Sequence, residues 1–342
     1  MNKRKGSLIF AFMCIAAAVL MFVDCIVGAS SLEAGKALQA LLSPFGISLP
    51  GVSLANETER YIVLSLRLPR VLFAAVSGAG LAVCGLAFQS VFRNPLSDPY
   101  ILGVSSGASL GAATAIVLGA EGFVLGIGMS SFLAAIITVF VIIRIASYGN
   151  RIHTSTLLLA GISINFLISS VISLLVVLNR EQMTKIIFWT MGSLSYVDMT
   201  DLAMVAICVA IGIFTVLFHA RDLNALLIDN QTAQSLGVNV ERTKRIILLV
   251  CTLMVSAIVS CSGVIGFVGL VVPHMVRLII GADNRKLLPF SIVGGVIFMT
   301  LGDILSKVII PPSEIPPGSI TALIGAPFFI YLLFNSKKQL NR

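Results

Sequence analysis

The chain has 342 residues, 57% of them hydrophobic and only 11% charged, so about 195 apolar side chains must leave water. Soluble domains carry roughly a quarter charged residues, and the polar complement here is too small to cover a core of that size, which excludes a soluble fold. The formal charge of +8 does not point to nucleic acid, because the basic residues stand singly or in twos and threes between apolar runs instead of clustering on a water-facing surface.

In chain order, Lys3-Arg4-Lys5 precedes an apolar run from Ser7 to Gly28. At about 22 residues this run exceeds the h-region of a signal peptide, about 7 to 15 residues, and predicts a retained first span over 7–28. Further spans are predicted near 68–90, 100–119, 123–146, 155–178, 199–219, 243–262, 266–281, 287–306 and 319–335. The eighth is short and carries Pro273, His274 and Arg277, so it reads as a broken or partial span, tolerated only where protein or water covers the freed backbone. Ten crossings put both termini on one side. With that side cytoplasmic, sixteen basic residues face the cytoplasm and seven face out, the asymmetry of the positive-inside rule.

Two polar segments are long enough for structure of their own. The outer one, Ser30 to Leu66, has Leu32, Leu38, Leu41, Leu42 and Phe45 at partly helical spacing and predicts a short surface helix. The cytoplasmic one, Ala220 to Lys244, has apolar positions Leu223, Leu226, Leu227, Ala233 and Leu236 that suit two short amphipathic helices, the second ended by Gly237. A plain connector would be shorter, so this loop is a candidate docking surface.

The segment LPRVLFAAVSGAGLAV followed by PLSDPYILGVSSG parallels TKRIILLVCTLMVSAIV followed by GLVVPHMVRLIIG, and LLLAGISINFLI parallels TALIGAPFFIYLL. The copies start five crossings apart and so enter the membrane from opposite sides, a transporter signature. The expected fold is an all-α polytopic membrane protein of about ten transmembrane helices with an inverted repeat, helices 2–5 against 7–10. It forms one domain over 1–342: the first span, repeat one about 67–178, the sixth span with the cytoplasmic loop 199–241, and repeat two about 242–335.

Gly103, Gly107 and Gly111 recur every fourth residue, as close helix packing in lipid requires. No G-x-x-x-x-G-K-[ST] occurs, since the Gly35-Lys36 pair is followed by Ala37; if ATP drives this protein, another chain binds it. Asp24, Asp303 and the flanking Lys307 are the plain ionisable groups of the spans, and Asp303 and Lys307, at i and i+4, read as a structural pair. His153, His219 and His274 have no second ligand near them in sequence, and the six cysteines sit in or beside apolar runs without CxxC spacing, as packing residues do. No HExxH, G-x-S-x-G or acidic cluster supports an enzyme. Prolines stiffen Arg93 to Pro99 and Pro311 to Gly318, and Pro327 breaks the last span.

The blocks RLPR (67–70), NPLSDPYILGVSSGA (94–108), LLLAG (157–161), W-x-M-G-S-L (189–194), SLGVNVERTKR (235–245), GVIGFVGLVVPHMVR (263–277), LGDILSK (301–307) and the closing EIPPGSITALIGAPFFIYLL resemble, in order, the FecCD-type permeases. These are the membrane subunits of ABC importers for iron-siderophore complexes, haem and vitamin B12. The resemblance implies a permease that works beside a second permease copy, identical or paralogous, with two cytoplasmic ATPase subunits and an extracytoplasmic substrate-binding protein. It implies no cofactor in this chain, with ATP and magnesium held on the ATPase, and residence in the plasma (inner) membrane.

By position, the resemblance places Ala233, Ser235, Leu236 and Gly237 in the loop that seats in the ATPase. It places Arg67, Arg70 and Lys307 among the outer-face cations that meet the binding protein, and at that surface their charges are expected to stand partly solvated. Lys307 stands where some relatives have arginine, keeping the charge but losing the planar fork. Asn94, Leu96, Thr154 and Ser155 match the cytoplasmic constriction of the pathway. Ferric siderophore is the expected cargo, haem and cobalamin the alternatives. An ion-coupled secondary carrier competes, and the shortage of mid-membrane acids counts against it.

Overall fold

In this computed structural model the described residues are 3–28, 32–47, 56–120, 126–148, 151–195 and 197–340. Arg342 of the charge tally and Ser30 at the head of the outer segment lie outside the described residues, as do the side chains of Lys3, Phe45, Arg151, Lys337 and Lys338. The helices in chain order are α1 (Lys3–Ile26), α2 (Ala34–Leu42), α3 (Glu57–Tyr61), α4 (Leu68–Phe92), α5 (Val104–Val117) and α6 (Ile127–Ala146). A two-residue antiparallel pair, β1 (Ser147–Tyr148) with β2 (Arg151–Ile152), leads to α7 (Thr154–Leu178), α8 (Met183–Met191) and α9 (Met199–Phe218). Then come α10 (Ala220–Ile228), α11 (Asn230–Ser235), α12 (Val240–Ser262), α13 (Val268–Ile280), α14 (Asn284–Val308) and α15 (Pro317–Leu340).

Among the described residues, seven helices are long and apolar enough to cross a membrane, and Val104–Val117, Val268–Ile280 and Pro317–Tyr331 are shorter apolar helices. Together they occupy the ten expected spans. Two of the departures from the expected bounds have a local physical cause. The second span was expected to start at 68, but helix runs unbroken over Glu57–Phe92, 36 residues. Asn56 caps it, accepting from Glu59 N–H while the Glu59 carboxylate accepts from Asn56 N–H, and Ile62–Arg67 forms a π-helical turn that carries it into α4. The third span was expected over 100–119, but Pro99–Leu102 is a 3-10 turn capped by Asp98. Gly103 then turns left-handed at φ +74°, leaving α5 only 14 residues. At about 1.5 Å per residue such a helix reaches about 21 Å, short of the roughly 30 Å hydrocarbon core. The expected short eighth span has the same design: Phe267, at φ +68°, precedes α13, which has 13 residues.

The packing repeats. α4 lies against α14 as α12 lies against α6. The pairs α5–α6, α5–α7 and α6–α7 correspond to α13–α14, α13–α15 and α14–α15, and α4–α13 corresponds to α12–α5. This is the pairing that an internal duplication of four helices produces.

The centre is α4, apolar around its whole circumference, as a helix buried on all sides must be. Its glycines set the crossings. A Cβ on Gly78 would stand 2.2 Å from the Gly295 carbonyl oxygen, and one on Gly295 would stand 2.2 Å from that of Gly78. One on Gly85 would stand 1.7 Å from the Gly269 oxygen. Gly107 and Gly111 face α6 in the same manner, against Thr138 and the Ser130 carbonyl. Alanine is about 1 kcal/mol better than glycine in a helix, whereas overpacking costs about 1 to 3 kcal/mol, so the clash wins. Gly85→Ala should therefore lower the melting temperature of the detergent-purified chain, and an unchanged or raised value would contradict the α4–α13 crossing.

Candidate functional site

Asp24, at the C-terminal end of α1, meets Lys307 at the C-terminal end of α14, while Phe10 meets Phe290 near the starts of both helices. α1 and α14 therefore run parallel. The start of α14 is bonded to α10, so the N-terminus and the α10–α11 loop share one end of the bundle. That end is termed the near face and the opposite end the far face.

On the near face, α10 inserts Leu223 and Leu226, both fully buried, and α11 follows without a gap because Asp229 caps it. Asp229 accepts from the Thr232 hydroxyl and from Thr232 N–H at 2.7 Å, and these bonds hold its carboxyl below the usual carboxylate range. The helix ends in a Schellman turn: Val238 N–H donates to Ala233 O and Gly237 N–H to Gln234 O, with Gly237 at φ +81°. The turn sorts the four loop residues that the resemblance singled out. Ser235, Leu236 and Gly237 project from the surface, Leu236 at 66% exposure, whereas Ala233 is fully buried and packs inward.

The residues matched to the constriction lie in two places. Asn94 closes a turn by accepting Leu96 N–H at 2.9 Å, and Leu96 is exposed. Thr154 and Ser155 open α7. The 3-10 turn after Asn94 leans on α7, where Gly161 leaves room for the Ile101 carbonyl. The Tyr100 hydroxyl donates to Ile265 O at 2.8 Å, so the broken stretch of repeat one is tied to the broken stretch of repeat two. Inverted-repeat transporters place their pathway where such breaks meet.

The far face holds a buried ionic cluster. Arg70 grips Asp303 through Nε at 3.0 Å and Nη2 at 2.8 Å, and its Nη1 reaches Glu314 at 2.8 Å. Lys307 Nζ lies 2.7 Å from Asp24 and 2.8 Å from Asp303. Arg67 donates to the Cys25 carbonyl at 3.0 Å and to that of Ile26, closing the end of α1. Asp303 and Lys307 do pair, as expected, but within a cluster of three cations and three carboxylates that joins α1, α4, α14 and the segment before α15.

The expectation that Arg67, Arg70 and Lys307 stand partly solvated is corrected. They are 7%, 8% and 6% exposed, because chain-internal carboxylates and carbonyls already occupy their donors. Glu314 is the exception, its side chain 34% exposed. It also accepts from Ser195 Oγ at 3.0 Å and stands on the wall of a cavity of about 710 Å³ lined also by Lys185, Phe188, Trp189 and Ser262. Sequence reasoning missed Glu314, and it singled out Asp24 without its partner Lys307, which lies far from it in the chain. No group of three His, Cys, Asp or Glu residues able to hold a metal occurs among the described residues.

The model of the FecCD transport family matches residues 14–335, nearly the whole of this arrangement. The chain belongs to the FecCD transport family. Among its relatives is a protein of Halobacterium salinarum named cobalamin import system permease protein BtuC. The two are 43% identical over 277 residues, 81% of this chain and 74% of that protein. The hemin transport system permease protein HmuU of Yersinia pestis is 38% identical over 293 residues, 83% of this chain and 86% of that protein. A solved chain of a metal-chelate type ABC transporter in an inward-facing conformation matches with a TM-score of 0.83 at 29% identity, covering 96% of this chain and 99% of that one. This FecCD chain is thus an integral membrane protein of a transport permease family, and its near-face loop and far-face cluster are the places where its architecture departs from plain lipid-facing helix.

Proposed function

We propose that this chain is the membrane-spanning permease subunit of an ATP-driven importer, passing a bulky metal chelate delivered by an external binding protein. The observation that carries the reading is the α10–α11 platform. Its inner face is anchored by Leu223 and Leu226, while Leu236, an apolar side chain, stands in solvent beside Ser235 and Gly237. An exposed leucine on a rigid capped helix suits insertion into an apolar groove of a partner. A chain without a phosphate-binding loop needs such a partner to use ATP. Magnesium and ATP then belong to two ATPase subunits, and two permease copies enclose the pathway.

The near face is cytoplasmic in this reading, since the basic residues concentrate there, and the membrane is the plasma (inner) membrane. Relatives named for cobalamin and hemin support a large chelate as cargo, and ferric siderophore is our choice within that class. Arg67 and Lys307, being buried, act on the binding protein only through the rim they hold in place. Arg70 acts through Glu314 and the cavity wall. Asn94, Leu96, Thr154 and Ser155 shape the cytoplasmic constriction. The buried acids Asp24 and Asp303 are committed to Lys307 and Arg70, which disfavours an ion-coupled carrier.

Vesicle labelling tests both sidedness and docking. In a background with Cys14, Cys208 and Cys261 each changed to Ser, Gln234→Cys should react with an impermeant maleimide only in inside-out vesicles, and added ATPase subunit should protect it. Reaction in right-side-out vesicles would overturn the sidedness. Reaction undiminished by the ATPase would overturn the docking role.

A further inference from the structure

Both ends of the Asn224 side-chain amide are used, and both reach the start of α14. Its Nδ2 donates to Asp283 Oδ1 at 2.9 Å, and its Oδ1 accepts Asn284 N–H at 2.8 Å. Asn284 is fully buried, and its Nδ2 donates to Ser90 Oγ of α4 at 3.0 Å. Ser90 is fully buried as well, and its hydroxyl also lies 2.9 Å from Leu86 O. A continuous set of directed bonds therefore runs from α10 into α14 and across to α4. The apolar contacts of Leu223 and Leu226 resist separation of α10 but not sliding, because dispersion and burial are non-directional. The asparagine amide supplies the register.

The helices receiving these bonds are joined to each other at two further levels. Gly78 and Gly295 bring their backbones into contact midway, and Arg70 with Asp303 bolts their far ends. A displacement of α10 carried by Asn224 must therefore reach the far-face cluster as a motion of α4 and α14 together.

We infer that Asn224 is a positioning residue for transport, a bracket that fixes α10 to the α4–α14 pair and through it links the state of the ATPase to the far face. The inference rests on the reading of α10–α11 as the ATPase seat. Asn284 and Ser90 are its inner joints.

The test is amide hydrogen exchange on the whole importer in nanodiscs, with and without magnesium AMP-PNP, comparing wild type with Asn224→Ala and, as a milder variant, Ser90→Ala. In wild type, nucleotide should change exchange both in peptides covering 220–236 and in peptides covering 303–316. Each variant should keep the near-face response; the far-face response should fall about fivefold in Ser90→Ala, the scale set by one lost hydrogen bond between α14 and α4, and by more in Asn224→Ala, which loses two. A far-face response as large as wild type in both variants would overturn the bracket. So would raised far-face exchange without nucleotide combined with a wild-type ratio of far to near response, the result of mere loosening. Absence of any near-face response in wild type would instead overturn the ATPase seat itself, and the bracket with it.

Discussion

Leu236→Asp is expected to detach the ATPase while leaving the permease folded. The side chain is 66% exposed in the chain by itself and its backbone, at φ −82° and ψ 6°, has a negative φ that an aspartate also adopts, so folding has little to lose. On the proposed docking, the same position would enter an apolar groove of the ATPase, where an unpaired carboxylate costs about 3 to 5 kcal/mol. Since each 1.4 kcal/mol is about tenfold in affinity, the ATPase should bind roughly a hundredfold to several thousandfold more weakly. Purified Leu236→Asp should elute as a monodisperse permease with wild-type melting behaviour and no bound ATPase. Retained ATPase at wild-type affinity would remove Leu236 from the interface.

Asp303→Ala should give the largest loss of stability of any single change in the far-face cluster. Asp303 touches both Arg70 and Lys307, is wholly buried, and holds Arg70 by two parallel bonds, the strongest geometry available to a guanidinium. Removing it leaves two buried cations short of a partner, a loss of about 3 to 5 kcal/mol for a broken buried pair. Lys36→Ala, which opens the more exposed Lys36–Glu59 pair, should by contrast be nearly silent. Thermal unfolding of both variants in one detergent checks the ordering, and equal melting temperatures would contradict a stabilising role for the cluster.

The spans were legible in the sequence because hydropathy is a local property: a run of apolar residues identifies its helix whatever it packs against. Where a short element begins depends on φ values that composition does not report, so α5 was read from 100 until Gly103 and the Pro99 turn showed it starting at Val104. Helical periodicity found α10 and α11, with Ala233 and Leu236 both among the apolar positions, and the family resemblance grouped the two in the docking loop. The Schellman turn separates them, since the chain reverses at Gly237 and takes Ala233 inward. The ionic cluster was half legible. Asp303 and Lys307 are one helical turn apart and could be paired from spacing, whereas Arg70 with Asp303 and Lys307 with Asp24 are separated by most of the chain. A charged residue in an apolar run signals that a partner exists without naming it. Asn224 gave no such signal, because an asparagine in a polar loop looks like any other until its amide is seen spanning Asp283 and Asn284.

The central claim, ATP-driven passage of a chelate through this chain, is tested most directly in proteoliposomes holding the permease with its ATPase, with the binding protein outside loaded in turn with radiolabelled ferric siderophore, haem or cobalamin. Uptake of one of these should require magnesium ATP enclosed with the ATPase and should stop when AMP-PNP replaces ATP. Uptake driven by a proton or sodium gradient through the permease alone, with no ATPase present, would contradict it.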